Sequence, residues 1–525
     1  MSESVMTDPS APVRKWLGSI EVNRRQQFIA LSDKLQEMVG GSALIADTIE
    51  RARLAENENV QLIWPVSGVL RFSSENLLAL ADLLWRLRGE FVYELGLPIT
   101  ISVIGYEKGR LAKAIEDAEL EARKLKDAPQ GVDGSPSSPL FVPCSIQPEL
   151  PANIWRPWPP DREDRRTLVS AWSEKRRQRA LVEYPLRFKC FGVQAAKMPH
   201  KQDDLVIGSS DSYVALIKAD ADGVGALLPH LNPSDETDAR TFAGALDECV
   251  RSAYKKALDE TLAKIQLNDR KFPFIPIVSA GEDIWILASR DVALPFALNL
   301  INHFAKEAAE SDAIKKLVKQ VSGATLTLSV GVLFSRQGYP MDARLDLAEE
   351  LLHSAKQYRR LRIQTGLSPE GCVDFFWLES STRHKVADAR ILVQDGAMRY
   401  KLHSRPWAAS DLERWIEVAK EIASDSKDGI ARRKLKQLET LLRRGKLAKL
   451  AFEQWQTSLT KSEQKSLNGA LKKLGWDLGR SQSPWKFRDG EFVTPLAELA
   501  ELSEILRSSQ EIAETAGEAS EQPDN

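Results

Sequence analysis

Two short acidic runs carry the chemistry this sequence could perform. Asp220-Ala221-Asp222-Gly223-Val224-Gly225 follows the apolar run from Tyr213 to Lys218, and Ala280-Gly281-Glu282-Asp283 separates two further apolar runs. If a fold gathers these carboxylates at one edge of a sheet, they repel and shift one another's pKa unless cations sit among them. Hard oxygen donors of this kind suit Mg²⁺ or Mn²⁺. Two such ions lower the pKa of an attacking 3′-hydroxyl and neutralise a leaving pyrophosphate. Gly223, Gly225 and Gly281 fit that scheme, because a backbone without Cβ lets phosphates approach closely. Asp and Gly also end ordinary strands and turns, so either run alone reads equally well as a strand end. Their joint placement is what points to a metal site.

The elements that must position the runs follow from the apolar periodicity. Strands are expected at Tyr213 to Lys218, up to Val278, at Ile284 to Leu287 and at Thr325 to Leu333. Helices are expected at Ala239 to Ile265, Val292 to Ala309 and Asp342 to Arg360. That order is βαββαβ, the ferredoxin-like arrangement, in which the first and third strands are neighbours. The N-terminal part repeats it: strand Trp16 to Val22, helix Arg25 to Met38, a hairpin turning at Val66-Ser67-Gly68, the Ser-capped helix Glu75 to Tyr93 and strand Ile99 to Ile104. Thr100-Ile101-Ser102-Val103 even matches Thr327-Leu328-Ser329-Val330, so a duplication is expected.

The totals bound the rest. At 525 residues, 43% of them hydrophobic and 28% charged, the chain reads as a multidomain globular protein. No apolar run approaches a membrane span, no secretory signal is visible, and the four cysteines are unpaired in sequence, so a cytoplasmic protein with no membrane association is expected. The net charge of −2 hides a basic block: Lys427 to Arg488 holds 16 Lys/Arg against 5 Asp/Glu. The Trp-rich basic stretch from Trp155 to Lys197 reads either as an RNA contact or as a basic helix packing on a partner. The six histidines form no metal or nucleophile pattern.

The run from Tyr213 to Leu378 resembles the catalytic palm of the large polymerase-like subunit of type III CRISPR effector complexes. The resemblance rests on the DxDxxG strand end, the Ala-Gly-Glu-Asp hairpin in place of Gly-Gly-Asp-Asp, the Ser329-Val330-Gly331-Val332 strand, and the helix carrying Ala348-Glu349 and Ala355-Lys356. Gln27-Phe28-Ile29 through Gly40-Gly41-Ser42 resembles the family's first, non-catalytic palm, and Arg405-Pro406-Trp407 the start of its C-terminal helical domain. GGDEF-type cyclases share the palm but neither the duplication nor the helices.

The resemblance implies an α+β fold of two ferredoxin-like palms, the second cyclase-like, with a C-terminal α-helical domain. The expected organisation is a disordered 1–12, a first palm at 13–126, a basic linker and degraded zinc module at 127–205, a catalytic palm at 206–380, helices at 381–507 and an acidic disordered tail at 508–525. It implies joining of ATP into cyclic oligoadenylate with two Mg²⁺ or Mn²⁺ ions, inside a ribonucleoprotein with other subunits, guide RNA and target RNA. Asp220 and Asp283 are then the principal metal ligands, with Asp222 and Glu282 supporting. Lys356 would neutralise the triphosphate, its other reading being an ordinary solvated helix lysine. Ser329 would line the nucleotide pocket, and Ser42 would bond a second nucleotide. No His-Asp dipeptide and no CxxC occur, so neither the family's nuclease centre nor its zinc site is expected. Two other readings stay open: a scaffold whose altered hairpin has lost catalysis, and a free-standing nucleotide cyclase.

Overall fold

The structure, a computed structural model, describes residues 14–507 except 33, 67, 128–141, 147–149, 158–165, 208–211, 231–235, 266–269, 281–282, 322–324, 380–385, 395–397, 424–428, 477 and 479–482. The expected disordered start, residues 128–141 of the expected linker and the acidic tail lie outside the described residues. So do Gly281 and Glu282.

The first unit is β1 (Arg14–Val22), α1 (Arg25–Ala30), α2 (Leu35–Ala55), β2 (Gln61–Val66), β3 (Val69–Ser74), α3 (Leu77–Gly89), β4 (Ile99–Glu107) and α4 (Leu111–Asp127). Its sheet order is β2-β3-β1-β4, the ferredoxin-like order. Two local expectations are corrected. The helix expected over Arg25 to Met38 is two helices, with Leu35 opening a longer one that runs to Ala55. The next helix is capped by Asn76, not by a serine: its side chain accepts from Leu78 N and Ala79 N at 3.0 and 3.1 Å.

Between the palms the chain is more ordered than its composition implied. β5 (Ile154–Pro157) pairs with β6 (Arg166–Val169), and α5 (Ala171–Lys189) follows. The basic face of α5 is turned to its own chain. Arg179 forms two 2.8 Å bonds to Asp47 of α2, and Arg156 of the neighbouring β5 bonds Glu37 of the same helix at 2.7 Å. A Cβ on Gly40 would meet the Arg176 carbonyl oxygen at 1.9 Å. Gly40 is therefore where α2 and α5 touch, and not part of a ligand loop.

The second unit is β7 (Tyr213–Asp222), α6 (Val224–Leu227), α7 (Glu236–Ala263), β8 (Phe274–Ala280), β9 (Asp283–Ser289), α8 (Arg290–Glu310), α9 (Asp312–Gln320), β10 (Thr327–Arg336), α10 (Met341–Gln364) and β11 (Cys372–Trp377). The core β10-β7-β9-β8 repeats the first sheet's order, and β11 and β14 (Trp407–Ala408) extend it at one edge. Arg405-Pro406-Trp407 thus completes the palm sheet before the helices begin. The helices α7 and α8 cover one face and α10 the other, so β7 and β10 are buried on both sides, which is why they read as near-continuous apolar runs.

The C-terminal region holds α11 (Val386–Ala389), α12 (Ala409–Ala423), α13 (Arg432–Leu442), α14 (Ala448–Thr457), α15 (Lys461–Lys473) and α16 (Leu496–Ile505). Besides the expected helices it contains a small sheet: β12 (Ile391–Gln394), β13 (Met398–Lys401), β15 (Lys486–Arg488) and β16 (Glu491–Val493). No helix among the described residues is long and apolar enough to cross a membrane.

Candidate active site

β7 runs through to Asp222, so both aspartates of the first acidic run lie inside the strand, and Gly223, Val224 and Gly225 follow it. With a side-chain period of two, Lys218, Asp220 and Asp222 share the face covered by α10. Three contacts climb that face. The ammonium of Lys218 donates to Glu349 Oε2, Lys356 Nζ donates to Asp220 Oδ2, and Arg359 Nε stands 3.8 Å from Asp222 Oδ2. Lys218 is only 1% exposed and also lies 4.5 Å from the centre of the Trp285 ring. Burial works against the Glu349 carboxylate, but Lys218, Gln26 and Lys356 together hold its pKa below the usual range.

Asp222 is the buried member. It accepts from Ser329 Oγ at 2.6 Å and Thr327 Oγ1 at 3.5 Å. Burial pushes its pKa up, opposed by Ser329, Lys356 and Arg359. Arg359 in turn donates to the Thr327 hydroxyl and, at 2.8 Å, to the Thr325 carbonyl.

Two glycines let α10 and the loop after β7 come this close. A Cβ on Gly331 would meet Leu352 N at 2.5 Å and Ala348 O at 2.6 Å. Gly223 has φ +93° and would put a Cβ 2.6 Å from Thr325 O. Gly225 has open space around it, so nothing in the surrounding packing requires a glycine there.

The hairpin brings the other acid. Asp283 opens β9, opposite Ala280 of β8. The β7–β9 register ends on Ala219↔Ile284, so Asp220 and Asp283 occupy the next step of the same pair of strands. Their side chains are 20% and 30% exposed, far more open than Asp222. The first unit reaches this edge: Arg25 Nη1 is 3.7 Å from Asp283 Oδ2, and Gln26 Nε2 bonds Glu349 at 3.2 Å. Arg25, Gln26, Ser42, Val278, Asp283 and Trp285 line one small cleft between the two units.

This palm matches the family model "Cas10/Cmr2, second palm domain" over residues 213–363. Residues 213–363 form a Cas10-type second palm. Solved structures share the fold of the chain more widely. A Csm1–Csm4 cassette with AMPPNP is similar at a TM-score of 0.54 and 16% identity, covering 95% of this chain and 70% of its own. The cassette with cA4 gives 0.52 and 14%, covering 94% and 70%. Csm1 of T. onnurineus gives 0.53 and 15%, with the same two coverages of 94% and 70%. No curated protein matches the sequence.

Within the Cas10-type palm the expected site residues separate into three groups. Asp220, Asp283 and Lys356 come together at the open edge. Ser329 is fully buried and serves Asp222, so it does not line an open nucleotide pocket as expected. Ser42 is 2% exposed, and Arg187 Nη2 stands 3.4 Å from its Oγ. It lies at the cleft wall near Asp283, in the middle of a helix and not on a binding loop. Among the described residues no three of His, Cys, Asp and Glu converge as a metal cluster. The convergence of four carboxylates is therefore narrowed to Asp220 and Asp283, with Glu282 outside the described residues and Asp222 turned toward hydroxyls.

Lys218, Glu349, Arg359 and Arg25 were not foreseen. The first was legible as a charge two residues before Asp220 in an apolar strand. Glu349 and Arg359 lie seven before and three after Lys356, one face of a helix. Arg25 carries no local signal, because only docking of the two palms brings it to Asp283.

Proposed function

We propose that the second palm is a nucleotidyltransferase joining ATP into a cyclic oligoadenylate, within an RNA-guided complex of type III CRISPR character. The observation that carries this reading is the pairing of Asp220 with Asp283, two partly open carboxylates at adjacent strand ends of a Cas10-type palm. The solved structures of similar fold add support, since they hold AMPPNP, ATP, pppApA, cA3 or cA4 on a Csm1–Csm4 cassette. By the same likeness, a Csm4-like subunit is the proposed neighbour, and guide and target RNA the proposed nucleic acids.

The residues fit divalent cations in kind. Asp220 and Asp283 are hard donors, and each is countered by a protein cation that a metal can replace: Lys356 at Asp220 and Arg25 at Asp283. Glu282 would supply a further carboxylate. Bound Mg²⁺ or Mn²⁺ would activate a 3′-hydroxyl and offset pyrophosphate charge. The chain's own part is positional. Asp220 and Asp283 hold their places through the β7–β9 ladder, and Lys356, displaced from Asp220, would meet the triphosphate. Asp222, held by Ser329 and Thr327, fixes the strand end on which Asp220 stands.

One observation favours a second reading, a scaffold without catalysis. Lys356 and Arg25 already compensate both open carboxylates, so the fold does not need a metal to keep them together. The deciding experiment is to purify the chain with its co-expressed partners and target RNA and incubate it with ATP and Mn²⁺ or Mg²⁺. Cyclic oligoadenylate that disappears in the Asp283→Asn variant supports the transferase. No ATP consumption in the complete complex leaves the scaffold.

A further inference from the structure

β7 ends at the carboxylates but begins in a different cavity. Tyr213 and Arg336, paired across β7 and β10, open onto a cleft of 330 Å³ closed on its far side by α13 and α16. With about 3.3 Å per strand residue, the seven steps from Tyr213 to Asp220 put the two places about 23 Å apart.

The charge in this cleft is unevenly matched. Its four carboxylates are all engaged. Glu504 takes a 2.9 Å bond from Arg432, Glu379 and Glu439 take 3.0 and 2.9 Å bonds from Arg443, and Glu501 takes a 2.7 Å bond from Arg405. Arg290 donates to the carbonyls of Glu504 and Ile505. Arg336 and Lys436 have no carboxylate partner among the described residues, yet both face the same cavity. Like charges gathered in a partly enclosed space repel unless an anion joins them.

The wall beside them is flat and aromatic. Phe334 stacks on Trp377 at 5.8 Å, Trp377 on Tyr213 at 4.1 Å, and the Arg336 guanidinium lies 6.0 Å over Tyr213. The column presents a planar cation to the cavity, a surface on which a nucleobase stacks. The volume lies in the range of small-molecule sites and exceeds what a lone phosphate fills. Walls on both sides, palm and helices, leave room for a compact ligand and not for a passing strand.

We infer that this cleft is a nucleotide site separate from the carboxylate edge, taking a nucleoside di- or triphosphate with its phosphates on Lys436 and its base on the Arg336 guanidinium that caps the aromatic column. It needs no divalent ion, because its cations are the protein's own, and so it stands whether or not the palm is catalytic.

The test is calorimetric titration of the full chain with ADP in EDTA. The expected result is saturable binding that Asp220→Asn and Asp283→Asn leave unchanged. The Arg336→Ala/Lys436→Ala double variant should bind at least tenfold more weakly. Both residues are exposed, so the substitutions leave the core intact, and Lys436→Glu alone should weaken binding in the same direction. Tripolyphosphate and adenosine, titrated separately, should each bind more weakly than ADP. Unchanged ADP binding in the double variant would overturn the assignment. So would binding lost with Asp283→Asn, no saturable binding at all, adenosine binding as well as ADP, or a single-stranded RNA binding where ADP does not.

Discussion

At Asp222 and Asp283 the same side-chain chemistry meets two environments. Asp283 is partly open and faces an arginine from the other palm, whereas Asp222 is buried against two hydroxyls. If the palm transfers nucleotides, Asp283→Asn removes a charge the cations need, and several kcal/mol of transition-state stabilisation go with it. The expected loss is about a thousandfold in ATP turnover, with the melting temperature nearly unchanged. Asp222→Asn should behave differently. An amide oxygen still accepts from Ser329, but the field on Arg359 is lost, so stability should fall by about 1–3 kcal/mol and turnover less than in Asp283→Asn. Turnover assays beside thermal melts separate the two, and equal turnover losses would contradict the division. The sequence showed both aspartates but not this difference, because burial of Asp222 depends on Ser329 and Thr327, more than a hundred residues away. It suggested the wrong role for Ser329 for the same reason.

Helix α10 is the element on which the site hangs, since Glu349, Lys356 and Arg359 all project from it onto β7. Its approach is set by Gly331, where any Cβ meets backbone atoms of Ala348 and Leu352 at about 2.6 Å and neither can turn away. Gly331→Ala is therefore expected to lift α10 and cost about 1–3 kcal/mol of stability, with Lys356 drawn off Asp220. Denaturant unfolding gives the first quantity, and ATP turnover at saturating metal the second. A variant with wild-type stability would show that α10 can slide without loss. Strands and helices of this palm were legible because apolar runs of both periods were long and clean. The middle region was not: Pro, Gly and charged residues made it look irregular, but Arg179 of α5 is paired with Asp47 on α2 and Arg187 donates to backbone carbonyls of β8. Composition counts charges without saying which ones find partners inside the chain.

Across the whole molecule, two buried seams decide how the units stay together. In the C-terminal seam, His403 Nδ1 accepts from Arg405 Nη2 at 2.7 Å, and burial, then Arg405, drives its pKa well below the usual value. A folded pKa below the unfolded one means the unfolded chain binds the extra proton. Stability should then be flat above about pH 6.5 and fall below it by up to ~1.4 kcal/mol per pH unit. His403→Gln should remove that part of the slope, read as the difference between wild-type and variant denaturation curves at pH 5.5 and 7.5. The palm–palm seam turns on Arg187 of α5. β8 is an edge strand whose pairing with β9 slips between Pro276 and Val278, leaving carbonyls of the irregular stretch to find other donors. Arg187 supplies them: its Nη1 donates to Ile277 O and, at 3.3 Å, to Pro276 O, while its Nη2 lies 3.4 Å from Ser42 Oγ on α2 of the first palm. One guanidinium thus joins the linker helix, the first palm and β8, the strand paired with the one that Asp283 opens. Arg187→Met keeps much of the apolar stem but removes every donor, so it should cost about 2–3 kcal/mol, the scale of charged hydrogen bonds to buried acceptors. Hydrogen exchange should quicken in β8 and in the central turns of α2, and stay unchanged in β13 and α16. Uniform quickening across the chain would mean the variant has only lowered global stability, and an unchanged β8 would mean the carbonyls of Pro276 and Ile277 do not depend on Arg187.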